Sequence, residues 1–173
     1  MIDLKDQLQE GLKAHQAGDL ATATSTYQQI LRVDESHADA LHLLGVVHLQ
    51  AGKHAEAIDL IEKAVEADPS NPIYRNNLGT SYRGLSRFDR AVDSFGEALK
   101  LNPEYAQAWY NMGCSYEAQK MWDEAAESYR ETLKRMPEFS QAWNNLGNVL
   151  LKLESPKDAR LCFLELIRLQ PES

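Results

Sequence analysis

Three asparagines, Asn77, Asn111 and Asn145, recur every 34 residues and are the side chains here best suited to hold another chain. Each carboxamide offers a donor and an acceptor, matching the two polar groups of a peptide unit. A row of them could pair with an extended main chain and care little about its sequence. The other reactive residue types show no comparable order. The histidines, His15, His37, His42, His48 and His54, crowd the first third of the chain, with no metal-ligand spacing to carboxylates or cysteines on one face. His48 reads as a packing residue. Every repeated glycine lies inside a helical segment, so none forms a phosphate-cradling loop. Carboxylates such as Asp93 and Glu97, or Glu127 and Glu131, stand beside Lys or Arg as on solvated helix faces. The expectation is a chain without catalytic activity, metal or cofactor.

The elements that must position the asparagines follow from a repeat. Gly11, Gly45, Gly79, Gly113 and Gly147 are spaced by 34, as are Ala23, Ala57, Ala91, Ala125 and Ala159. Four residues after each alanine comes a large apolar residue: Tyr27, Ile61, Phe95, Tyr129 and Phe163. Pro69, Pro103, Pro137 and Pro171 close four of the units, with Glu35 in the corresponding place of the first. Columns held in register over the whole length mark a repeat architecture. The units are 4–37, 38–71, 72–105, 106–139 and 140–173, forming one array over 4–173.

Each unit reads as two helices: 4–17 and 20–33, 38–51 and 54–67, 72–85 and 88–101, 106–119 and 122–135, 140–153 and 156–169. In the first helix of each unit, helical periodicity gathers positions 4, 7, 8 and 11 on one face, for example Trp109, Met112, Gly113 and Tyr116. The glycine admits a close neighbour, and the alanine column serves the same end. Asn71-Pro72 and Ser155-Pro156 supply helix starts, and Gly18 and Gly52 stand where helices end. Arg75 and His48 occupy places expected to carry large apolar residues, which weakens packing there. The first unit, with Gln7, Glu10 and Ala14, is more polar, as a terminal repeat should be.

The pattern resembles the tetratricopeptide repeat over residues 4 to 173. That resemblance implies an all-α, right-handed superhelical solenoid of five helix-turn-helix units that binds protein or peptide in a concave groove. Positions 2, 6, 9 and 13 of the first helices lie opposite the packing face at about 100° per residue. Position 6 carries Asn77, Asn111 and Asn145, preceded by Gln9 and Leu43. The Asn-Leu-Gly phrase is similar to repeats of O-linked N-acetylglucosamine transferase and bacterial relatives, and the resemblance implies peptide contact by those three asparagines. Asn76, Tyr110 and Asn144 flank them, and Thr80, Cys114 and Asn148 line the same strip. Leu8, Leu12, Leu43 and Val46 form an apolar stretch that could take a side chain or a helix. Chaperone-binding members of the family grip a carboxylate with cations, and these are missing from the matching positions.

In the last helix Leu161 and Leu164 replace polar residues of earlier units, marking an interface for a further helix, a further domain or another copy. A formal charge of −8 argues against nucleic acid as partner. No apolar run reaches membrane-spanning length, and the amphipathic, charged start does not read as a signal peptide. With Cys114 and Cys162 too few for a disulfide framework, a cytoplasmic location is expected. Beside a non-catalytic interaction module, two readings stay open: the substrate-recognition arm of a larger glycosyltransferase, or a self-associating scaffold.

Overall fold

The computed structural model describes residues 3–169, so the expected closing proline Pro171 lies outside the described residues. Among the described residues, ten α-helices account for the regular structure: α1 Leu4–Gln16, α2 Leu20–Val33, α3 Ala38–Gln50, α4 His54–Ala67, α5 Pro72–Gly84, α6 Phe88–Leu101, α7 Ala106–Ala118, α8 Trp122–Arg135, α9 Ser140–Lys152 and α10 Pro156–Leu169. They match the expected boundaries to within one residue. Contacts divide the chain into two compact units, Met1–Ser86 with α1 to α5 and Arg87–Ser173 with α6 to α10. Within each unit, successive helices pack against one another.

The repeated glycines act through space. A Cβ on Gly11 would lie 2.6 Å from the Tyr27 ring, on Gly45 2.6 Å from Ile61, on Gly113 2.7 Å from Tyr129 and on Gly147 2.6 Å from Phe163. In each pair the odd-numbered helix presents bare backbone to the large residue of the helix that follows. The alanine column is fully buried beside it. Close approach of this kind gives dense packing, in which one added methyl is felt.

Helix ends follow the same period. The residues after the odd-numbered helices, Gly18, Gly52, Ser86, Lys120 and Glu154, all have positive φ, between 55° and 79°. The next amide closes the turn on a carbonyl five residues back, as in Asp19 to Ala14 at 2.9 Å and Met121 to Tyr116 at 3.0 Å. Only Gly18 and Gly52 take this left-handed conformation without steric cost. At the starts, Asp19 Oδ1 accepts from Thr22 N and Asn71 Oδ1 from Ile73 N, each at 3.0 Å. Ser155 differs from expectation: its hydroxyl donates to the Asp158 carboxylate at 2.9 Å.

Arg75 corrects another expectation. Trp109 Nε1 donates to the carbonyl of Pro103 at 3.0 Å, and Trp143 Nε1 to that of Pro137 at 2.7 Å. Arg75, in the same column, donates Nη2 to the carbonyl of Pro69 at 3.3 Å. The guanidinium thus keeps the tie between a repeat's closing proline and the next helix. Arg135 reinforces one tie, donating Nε to Pro103 at 2.8 Å while its guanidinium lies 5.4 Å from the Trp109 ring centre. His48 is half-buried, and its Nδ1 has no hydrogen-bond partner.

Two stability changes follow. Gly113→Ala forces a Cβ against the fully buried Tyr129 ring and should cost about 1–3 kcal/mol in denaturant unfolding. Lys120→Gly relieves a left-handed lysine at roughly 1–2 kcal/mol, partly offset by unfolded-chain entropy, for a net gain of about 0.5–1 kcal/mol read from the denaturation midpoint.

Candidate functional site

The position-6 asparagines do not stand free on an unpacked face. In the first unit Asn77 Nδ2 donates to His42 Nε2 at 2.8 Å, reaching back to the preceding odd-numbered helix. Asn77 Oδ1 accepts from Asn76 at 3.3 Å, and Asn76 itself is only 4% exposed. In the second unit Asn145 Nδ2 donates to the hydroxyls of Tyr110 and Tyr129, both at 3.3 Å. Asn111 is 6% exposed, and its Oδ1 accepts from Gln107 at 3.4 Å. The reason for the correction is the helix stacking. Within each unit, position 6 of one repeat meets position 5 of the repeat before, so the carboxamides link repeats. Of the flanking positions, Asn144 and Asn148 are exposed, and Tyr110, Thr80 and Cys114 are half-buried.

Each link ends in a polar network. His42 is buried and stacked on Tyr74, with ring centres 4.5 Å apart. Burial lowers its pKa to about 4, although the Asp39 carboxylate pulls the other way. The neutral ring therefore accepts at Nε2 and carries its proton on Nδ1. The Tyr74 hydroxyl donates to Asp39 Oδ1 at 2.5 Å. Burial first, then this carboxylate, raise the Tyr74 pKa. In the second unit the fully buried Tyr129 donates to Glu117 Oε2 at 2.6 Å and accepts from Asn145. Its pKa is likewise raised, chiefly by burial. Cys114 Sγ lies 3.5 Å from the Tyr129 hydroxyl.

Beside the second network the surface opens into a recess of about 350 Å³, lined by Tyr110, Ser140, Gln141, Asn144, Asn145 and Leu166. Tyr110 packs its ring against Phe139 at 4.7 Å between centres, which fixes one wall. Among the described residues, no Asp, Glu, Lys, Arg or His lines this recess. It combines carboxamides, hydroxyls and one leucine, which suits a peptide main chain with an uncharged side chain. The helical pattern pointed to Tyr110, Asn144 and Asn145 here. Ser140 at the start of α9 and Leu166 on α10 escaped it, the latter because it belongs to the other helix of the repeat.

The first unit carries a second recess of about 390 Å³ between Asp34, His37, Asp39, Asp68, Asn71 and Tyr74. Its carboxylates have internal tasks. Asp34 accepts from the Ser36 amide at 3.1 Å, Asp68 from the Ser70 amide at 3.0 Å and Asp39 from Tyr74. The apolar stretch is partly spent as well: Leu8 and Leu43 pack against Ala23, Tyr27, Leu44 and Val47, and Leu12 and Val46 are half-buried. Among the described residues no group of three His, Cys, Asp or Glu side chains is placed to hold a metal ion, and no helix is long and apolar enough to cross a membrane.

These features coincide with a known repeat family. The tetratricopeptide-repeat profile matches residues 8–72, 76–131 and 110–173. The chain belongs to the tetratricopeptide-repeat family. A crystal structure of MamA is similar at 25% identity, with a TM-score of 0.86 over 94% of this chain and 95% of that one. The crystal structure of YrrB, described as a TPR protein with an unusual peptide-binding site, is 25% identical, with a TM-score of 0.79 over 98% and 88% of the two chains. TTC0263, a thermophilic TPR protein of Thermus thermophilus, shares the fold at 18% identity, with a TM-score of 0.77 over 99% and 93%. No curated protein sequence matches significantly. An all-α tetratricopeptide-repeat chain of this kind is a protein-interaction fold.

The His42 link makes stability depend on pH. The native ring stays neutral down to about pH 4, whereas an unfolded histidine takes up a proton near pH 6.5. The contribution is therefore complete above about pH 6.5 and is lost progressively as pH falls toward 4, up to roughly 3 kcal/mol. His42→Gln should flatten that part of the stability profile, measured by urea unfolding at stepped pH.

Proposed function

We propose that this chain is a non-catalytic module that binds an extended peptide or protein segment at the recess between Tyr110, Asn144, Asn145 and Leu166. The observation that carries this reading is the recess's composition: neutral hydrogen-bonding groups beside one leucine, next to a network that holds Asn145 and Tyr110 in place. Asn145 has its Nδ2 donors engaged by the two tyrosines. The adaptable contacts come instead from exposed Asn144, whose Nδ2 makes only a 3.4 Å bond to Asn145, and from Gln141. These amides exchange weak internal or water contacts for a peptide's N–H and C=O. The peptide-binding description of YrrB, at 25% identity, lends support.

Asn77, Asn111, Asn76, Thr80 and Asn148 enter this proposal in a different role from the one their spacing suggested. Asn77 holds two repeats in register, and with it the surface around Thr80. Asn111 and Asn76 are buried supports, while Asn148 is exposed and open to extend the contact along α9. The five repeats are proposed to act as one array. The charge of −8 favours a protein partner over nucleic acid, and two free cysteines suit the cytoplasm.

Panning a display library of random linear peptides on this chain should return binders whose affinity drops about three- to tenfold in Asn144→Ala, near 1 kcal/mol for a lost hydrogen bond. The exposed site leaves folding intact, so thermal unfolding of the variant should match the parent. Binders indifferent to Asn144→Ala, Gln141→Ala and Tyr110→Phe alike would place the peptide elsewhere.

A further inference from the structure

The side of α9 opposite its carboxamides borders another hollow. At about 100° per residue, Trp143 and Leu146 fall away from Gln141, Asn144 and Asn145. With Arg130, Leu133 and Lys134 of α8 they line an apolar recess of about 350 Å³. Leu133 and Leu146 close its floor, at 7% and 4% exposure. Trp143 is a fixed wall, because its Nε1 donates to the Pro137 carbonyl at 2.7 Å. Arg130 and Lys134, one helical turn apart and both exposed, stand at the rim. Among the described residues no carboxylate lines this recess.

The rim cations are only loosely neutralised. Arg130 Nη1 lies 3.6 Å from Glu127 Oε2, too far for a hydrogen bond, and the two side chains are 47% and 61% exposed. Lys134 shares Glu131, whose other oxygen accepts from Arg135 Nη1 at 2.6 Å. Exposed pairs of this kind contribute little, so an arriving carboxylate can replace them. The pair of cations is particular to the fourth repeat. Other repeats carry Gln28 and Arg32, Glu62 and Glu66, Gly96 and Lys100, or Leu164 and Arg168 at these places. In a chain with 26 acidic and 18 basic residues, the rim is a local reversal of sign. The repeat's own continuation leaves such a seam open. Lys100 and Trp109 mark the same seam one repeat earlier, where α8, α9 and α10 all follow, and the Lys100 side chain is still 74% exposed.

We propose that the α8–α9 seam docks an acidic segment of a partner protein, with one large apolar side chain in the recess and a neighbouring carboxylate on Arg130 and Lys134. The recess, at about 350 Å³, has room for a side chain and not for a helix about 10 Å across. Contact with Trp143 and the leucine floor supplies affinity, and the rim charges supply selectivity. A segment with Lys or Arg at that place meets like charge. The site is independent of the peptide recess on the other side of α9.

The probe is a display library of short linear peptides, each with one Leu, Ile, Phe or Trp among Asp, Glu, Ser and Gly. It is panned on the full chain and counter-selected on the double variant Arg130→Gln with Lys134→Gln. Enriched peptides are titrated into the isotope-labelled chain and should shift the Trp143 indole signal. The double variant should bind them about tenfold or more weakly, and added salt should weaken binding to the parent. Serine in place of the peptide's apolar residue should cost a similar factor. Arg130→Glu with Lys134→Glu should in turn accept the same peptide with lysines for its acids, a rescue that a misfolded variant cannot give. Four results overturn the proposal: no enrichment over the double variant, equal binding to both proteins, side-chain shifts confined to Gln141 and Asn144, or a second copy of the chain occupying the seam.

Discussion

At Gly11, Gly45, Gly113 and Gly147 a helix backbone lies so near the following helix that a methyl group would enter the van der Waals shell of Tyr27, Ile61, Tyr129 or Phe163. Each of these four helix hairpins depends on this approach. It seats the ring or branched chain over bare backbone and buries the alanine column completely. Within each unit, odd-numbered helices then face the next repeat at a fixed depth. That depth sets the reach of every other cross-repeat bond, including the indole-to-proline ties and the asparagine links. An interior this dense leaves little freedom to adjust, so the polar strip along the odd-numbered helices inherits its geometry from an apolar contact on the opposite side.

The polar strip shows what this constraint does to side chains that sequence alone would leave in solvent. Asn77 and Asn145 stand in the same column, and each meets a ring at position 5 of the repeat before, His42 in one case and Tyr110 in the other. The two rings have different consequences. A buried histidine held neutral makes the first link sensitive to acid, whereas the tyrosine link joins the network around Tyr129 and Glu117, where burial raises the Tyr129 pKa. Exposed carboxamides therefore remain at Asn144 and Gln141, whereas Asn77 and Asn145 are engaged within the fold.

The period-34 columns made the helices legible, because glycine, alanine and proline are each placed by steric demands that a single repeat cannot evade. What stayed hidden depended on partners one repeat away. Nothing local to Asn111 signals its burial, and nothing local to Arg75 signals that a guanidinium can replace an indole as donor to Pro69. The left-handed residues Ser86, Lys120 and Glu154 were equally invisible, since the glycines that betray the turn at Gly18 and Gly52 are absent there. In the recess, Tyr110, Asn144 and Asn145 followed from helical spacing, but Leu166 arrives from the second helix of its repeat, which a pattern drawn on one helix cannot include.

A repeat fold also makes its surfaces comparable in a way that a unique fold does not. Position 130 carries Arg130 and position 164 carries Leu164, yet both sit at the same place on equivalent helices, so the difference is chemical and not geometric. The same holds for Glu127 and Leu161, which turns an exposed carboxylate site into an exposed leucine. On α8 the neighbouring helix dries the floor and the rim stays charged. On α10 the floor keeps an aromatic ring and aliphatics, and Leu164 joins Arg160 at its edge. Leu164 enlarges an apolar patch that already contains Ile167, and Leu161 is a further exposed leucine on the same helix. The departure from the repeat's own rule, more than the exposure of any one side chain, sets this face of α10 apart from its counterpart on α8.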